Sequence, residues 1–101
     1  MDIKIEGRQV EIGSELQERI EKRMDSLDQR FGPITHARIS VEKKAHKNEQ
    51  RAEVTAVVNI AGGTITASRE AATVVGAVND VMETLTLELQ THVEKSRKDY
   101  R

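Results

Sequence analysis

The spacing of apolar residues along this chain switches from every second position to every third or fourth and back, and that switching restricts the fold more than any other feature. Ile3 and Ile5 alternate with Asp2, Lys4 and Glu6, and Val10 and Ile12 repeat the pattern after Gly7, which predicts a short strand and its exit. Leu16, Ile20, Met24, Leu27 and Phe31 then fall at spacings of four, four, three and four, an apolar stripe along one side of a helix. Gly13 or Ser14 caps this helix, Ser14 with Gln17 having the spacing of a capping box, and Gly32-Pro33 ends it.

The period then returns to two. Ala37, Ile39 and Val41 alternate with His36, Arg38, Ser40 and Glu42, and Ala52, Val54, Ala56, Val58 and Ile60 alternate with Arg51, Glu53, Thr55 and Asn59. Between these strands residues 43–49 read as a polar loop or frayed strand end. Gly62-Gly63 supplies the positive φ angles of a tight hairpin into a fourth strand, Thr64–Ser68. All four strands carry polar residues on their second face, Val57 excepted, so that face is expected to be wet. The last helix is expected from about Glu70 to about Lys95, with Val74, Val78, Val81, Met82, Leu85, Leu89 and Val93 within one arc. The order is βαβββα. An α+β domain with one four-stranded antiparallel sheet and both helices packed on its apolar face would bury Ile5, Leu16, Ile20, Leu27, Ile39, Val54, Ile65, Val78, Leu85 and Leu89.

With 101 residues, 37% of them hydrophobic, the chain supplies one modest core, so residues 1–95 are expected as a single domain and 96–101 as a basic flexible tail. The absence of cysteine rules out disulfides and thiolate metal sites. No run approaches the roughly 20 apolar residues of a membrane span and no signal sequence opens the chain, so a cytoplasmic protein with no membrane partner is expected.

No constellation for catalysis emerges, and the chain is read as not an enzyme, with neither cofactor nor metal. His36, His46 and His92 have no second histidine or carboxylate at a ligand spacing. Gly62-Gly63 is not followed by Gly-Lys-Ser/Thr, and no Gly-x-Ser-x-Gly elbow occurs.

Charge is the informative quantity. A net charge of −1 conceals a chain of which 33% is charged, so recognition depends on how the signs segregate. At 100° per residue from Ile20, Arg19, Lys22, Arg23 and Arg30 fall on one flank of the first helix, and Glu18, Glu21, Asp25 and Asp28 on the other. Such a stripe can follow a phosphate backbone. The competing reading is local pairing of Glu15 with Arg19 and Glu18 with Lys22. Lys43, Lys44 and Lys47 form a second basic group and Lys95, Arg97 and Lys98 a third. Opposite the apolar arc of the last helix lie Asp80, Thr84, Leu87, Thr91 and Lys98, which exposes Leu87 as a candidate protein contact.

The order of elements and several motifs resemble the short ribosome hibernation-promoting factors and the related ribosome-associated inhibitor A of bacteria. The resemblance rests on Ile5-Glu6-Gly7 with Val10-Glu11-Ile12, Leu16 through Leu27 to Phe31, Val41-Glu42-Lys43, Gly62-Gly63 with Ile65 and Ala67-Ser68, and Ala77-Val78 through Leu85, Leu89 and His92. It implies a fold similar to double-stranded-RNA-binding domains. It also implies a translation regulator that idles ribosomes in stationary phase or stress, occupying the decoding region of the small ribosomal subunit through rRNA. A ribosome modulation factor would be a second partner, as for the short form. Arg23, Lys43 and Lys95 match basic positions of the family, and the helical wheel adds Arg19 and Lys22. The RNA-binding set is therefore expected among Arg19, Lys22, Arg23, Arg30, Lys43, Lys44, Lys47, Lys95 and Lys98. Where the family carries basic residues on the last helix, this chain has Thr84, Leu87 and Thr91, and Ala71, Thr73 and Val75 replace the family's glycine, acidic residue and aromatic. Those departures motivate an alternative, a diverged member serving as a protein-interaction or homodimer module, and a third reading, a small RNA chaperone that binds duplexes by shape.

Overall fold

The periodic segments fold as their spacing requires. In the computed structural model, which describes residues 2–46 and 49–98, the chain runs through β1 (Asp2–Arg8), α1 (Ser14–Phe31), β2 (Ile34–His46), β3 (Glu49–Ile60), β4 (Gly63–Ala71) and α2 (Val74–Lys98). The strands form one sheet in the order β1-β2-β3-β4. Ile20, Met24 and Leu27 of α1 join Val78, Val81, Met82, Leu85 and Leu89 of α2 in one buried cluster with Ile39, Val41, Val54, Ala56, Val58 and Ala67 of the sheet, so both helices cover the same face. Ile5 and Leu16, expected within the core, are half-buried at its margin.

The α+β architecture stands as expected, with one pairing corrected. The β2–β3 and β3–β4 pairs are antiparallel. The β1–β2 pair is parallel, with Ile3 opposite Ala37 and Ile5 opposite Ile39. The connection is the reason: α1 carries the chain back along the sheet, so the next strand starts from the end where β1 started, as in any helical crossover between neighbouring strands.

Three boundaries also differ. Lys43, Lys44 and Ala45 are strand, not loop, because the ladder continues through Ala52, Arg51 and Gln50. Arg69 and Glu70 belong to β4, held in register opposite Val54 and Glu53. α2 accordingly starts at Val74 and runs to Lys98, and the Thr73 hydroxyl oxygen accepts the Gly76 N–H at 3.0 Å as its cap. At α1 the capping residue is Gly13, whose carbonyl accepts the Gln17 N–H at 3.0 Å without any side-chain cap. At the hairpin Gly62 has a positive φ (89°), whereas Gly63, expected to share it, does not.

Candidate nucleic-acid interface

Strand alternation turns Lys4, Glu6, Arg38, Lys44, Arg51, Glu53, Thr55, Ser68 and Glu70 onto the open face of the sheet, away from the helices. There the charges are mostly spent on one another. Glu6 accepts Lys4 Nζ at 3.0 Å and Arg38 at 3.3 Å. Glu53 holds Lys44 at 3.3 Å, and Glu70 holds Arg51 at 2.7 Å. The Thr55 and Ser68 hydroxyls share a hydrogen bond of 3.2 Å, and Asp2 lies 3.4 Å from His36 Nδ1. The hydrogen bond from Lys4, joined by the positive field of Arg38, holds the Glu6 carboxyl below the ordinary glutamate value.

The helical layer is different. Arg19, Lys22 and Arg23 are exposed on α1, and none of them makes an ion pair among the described residues. The Glu15–Arg19 and Glu18–Lys22 pairs permitted by their spacing do not form. These three cations stand with Glu15, Glu18 and Ser26 around a shallow cavity of about 350 Å³. Glu18, assigned by the helical wheel to the acidic flank, thus borders the basic group. Glu15, Leu16 and Arg19 line a second shallow cavity with Val75 at the start of α2, so the Arg19 end of the basic flank borders the groove between the helices. Arg30 is separate, stacked over the Phe31 ring at 5.0 Å from its centroid near the other end of α1.

The remaining expected residues are dispersed. Lys43 is exposed opposite Ala52, on the helix side of the sheet, and the Arg8–Glu42 register puts it near the end where α1 begins. Lys44 projects from the opposite face and is held by Glu53. Lys47 lies outside the described residues. Lys95 and Lys98 occupy the last turns of α2, beyond His92, which packs beside the Gly62-Gly63 hairpin at the other end of the sheet. The structure therefore brings together Arg19, Lys22 and Arg23, with Lys43 at the same end. Missing from the sequence-based set are Lys4, Arg8, Arg38 and Arg51, which alternation alone would have put on the open face.

The outward side of α2 is acidic. From Val74 to Glu94 the helix has Asp80, Glu83, Glu88 and Glu94 and neither lysine nor arginine. Leu87 is 65% exposed at the middle of this face. The Thr84 hydroxyl donates to the Asp80 carbonyl and the Thr91 hydroxyl to the Leu87 carbonyl, both at 2.9 Å. No group of three or more histidines, aspartates or glutamates able to hold a metal ion occurs among the described residues, and no helix there is long and apolar enough to cross a membrane.

A family model described as sigma 54 modulation protein / S30EA ribosomal protein matches residues 3–97. The ribosome hibernation promotion factor of Deinococcus radiodurans is 30% identical over 96% of this chain, which spans about half (53%) of that relative's length. Among solved structures, a ribosomal subunit interface protein from Coxiella burnetii superposes with a TM-score of 0.73 at 27% identity, covering 91% of this chain and 97% of its own. The N-terminal domain of Thermus thermophilus Protein Y gives the same TM-score at 22% identity over 91% of this chain and 99% of its own, a likeness of fold.

Proposed function

Because the chain belongs to the sigma 54 modulation protein / S30EA ribosomal protein family, we propose that it is a non-enzymatic ribosome-binding translation regulator that docks on the small subunit through rRNA. The observation that carries this reading is the contrast in charge partnering between the two surfaces. On the sheet Lys4, Arg38, Lys44 and Arg51 are each held by a carboxylate, though Arg8 is not, whereas on α1 none of Arg19, Lys22 and Arg23 is held by one among the described residues. Exposed cations without carboxylate partners are available to phosphates, and each phosphate they neutralise releases condensed counterions. Lys43 extends the same surface. The names of the relatives, a hibernation promotion factor and a subunit interface protein, support the ribosome as target.

In this reading the protein occupies the decoding region, where it excludes messenger and transfer RNA, and a ribosome modulation factor acts with it to pair idle ribosomes. Lys95 and Lys98 would reach a second stretch of rRNA from the far end of α2. The test is cosedimentation with purified small ribosomal subunits at several salt concentrations. Stoichiometric pelleting of the wild type is expected, with weaker binding and a shallower salt dependence when Arg19, Lys22 and Arg23 are all glutamine. A wild-type protein that stays in the supernatant at low salt would overturn the proposal.

A further inference from the structure

The helical layer carries two unpaired faces of opposite sign. Arg19, Lys22 and Arg23 are free of ion pairs on α1, and so, among the described residues, are Asp80, Glu83 and Glu88 on α2. The two helices also run in the same direction. β1 is parallel to β2, two antiparallel steps give β4 that direction again, and each helix returns over the strand it follows. The α1 face carries three cations bordered by Glu15 and Glu18, the parallel α2 face carboxylates alone, so together they form a largely self-complementary surface. A two-fold axis laid along the groove between them sets α1 of one copy on α2 of the other, twice over, whereas an axis across the helices would set like on like.

We propose that this layer binds a second copy of the chain, with Arg19, Lys22 and Arg23 of each copy against Asp80 and Glu83 of the other and Leu87 against the last turns of the partner's α1. Among the described residues Leu87 is the most exposed large apolar side chain, at 65%. Thr84 and Thr91 send their hydroxyls back to the backbone of α2, leaving methyl groups beside Leu87. A duplex of RNA suits the acidic face of α2 poorly, because its phosphates would meet Asp80 and Glu83.

The size of the layer sets the strength. At 1.5 Å per residue α1 is about 27 Å long, and two helices side by side are about 20 Å wide, so roughly 540 Å² per copy is available against about 800 Å² in a standard interface. The dimer is therefore weak and salt-sensitive. It also covers the cations that the preceding section assigns to rRNA, so, resting on that assignment, the free protein masks its own RNA-binding surface until rRNA displaces the second copy.

Sedimentation equilibrium on the full chain tests the pairing without any RNA. A dimer is expected at high protein concentration in about 50 mM salt and a monomer in about 500 mM salt, where the screening length is only a few ångströms. Glu83→Arg or Arg23→Glu alone should abolish the dimer, and the doubly substituted chain should restore it, with circular dichroism confirming the fold of each. A monomer throughout, or a dimer indifferent to both single changes, or one that the double change fails to restore, overturns the pairing. A chain that stays monomeric while a lysine-rich peptide shifts the NMR signal of Leu87 assigns the face to another cationic protein and likewise overturns it. An RNA duplex added to the dimer should yield a monomer–RNA complex, and RNA bound by an intact dimer overturns the masking. Ribosome cosedimentation reads the preceding proposal separately, so the failure of either is distinguishable.

Discussion

Asp28 Oδ1 accepts the backbone N–H of Ile34 at 2.7 Å, tying the last turn of α1 to the first residue of β2 across Gly32-Pro33. The wheel had counted Asp28 among the charges of the acidic flank, yet it serves as the latch of the crossover. A partly buried hydrogen bond to a charged group contributes about 1.5 to 3 kcal/mol. Asp28→Ala should cost that order of stability in urea unfolding, and Asp28→Asn, which keeps an acceptor oxygen, distinctly less. Equal losses for the two would show that the charge, and not the bond, holds the turn.

Glu6 gives the sheet a dependence on pH. Its folded carboxyl is held below the usual glutamate value, chiefly by the hydrogen bond from Lys4 and then by the field of Arg38. A depressed value means stability that is fully present above the unfolded carboxyl's range and lost as pH falls through the folded value. NMR titration should find Glu6 titrating below an ordinary glutamate, with Lys4→Gln restoring more of the shift than Arg38→Gln. Thermal scans of Glu6→Gln should flatten the acid limb.

Leu85 and Thr84 are neighbours with opposite roles. Leu85 is fully buried, whereas Thr84 lies at the surface with its hydroxyl turned to the Asp80 carbonyl. Leu85→Ala should cost about 2 to 5 kcal/mol and Thr84→Ala less than about 0.5 kcal/mol by chemical denaturation. Comparable losses would mean that the phase of α2 is wrong.

Gly7 and Gly13 flank the turn between β1 and α1 but differ in the room around them. A Cβ on Gly7 would run into the Val10 carbonyl oxygen, whereas one on Gly13 would meet nothing within 4 Å. Gly7→Ala should therefore destabilise by about 1 to 3 kcal/mol. Gly13 caps α1 from an extended conformation without a side-chain bond, and Gly13→Ser should gain up to a few tenths of a kcal/mol. Melting curves of the two variants moving in opposite directions would bear this out.

Restoring cations to α2 tests whether its acidic face limits rRNA binding. Thr84→Lys, Leu87→Arg and Thr91→Lys together should tighten small-subunit binding and steepen its salt dependence, by up to about 0.9 of a logarithmic unit per phosphate gained on the scale of duplex DNA. The measurement is the same cosedimentation across a salt series. Unchanged affinity would show that α2 faces away from the RNA.

The elements were legible in the sequence because burial on one face writes a period into the chain, and Leu16 through Phe31 and Val74 through Leu89 carry it plainly. Strand direction is not written there: Ile3 and Ile5 alternate identically in a parallel or antiparallel pair, and only the helix between β1 and β2 signals the difference. The extension of β2 through Lys44 was hidden for another reason, since those residues overhang the core and their ladder partners, Arg51 and Gln50, are polar. The candidate site divided along the same line. A helical wheel gathers Arg19, Lys22 and Arg23, but which lysines are already held by carboxylates follows from cross-strand register, which neither spacing nor composition contains. Lys43 and Lys44 make the point, adjacent in sequence yet on opposite faces of the sheet.

The parallel pairing of β1 also sets how costly each strand's closure is in chain entropy. β2, β3 and β4 can close on one another through short hairpins, at little cost in chain entropy, as soon as they exist. β1 reaches Ala37 and Ile39 only across the whole length of α1. β1 is thus the strand whose partner lies farthest along the chain, and its pairing edge and two isoleucines stay open until the second strand has been made.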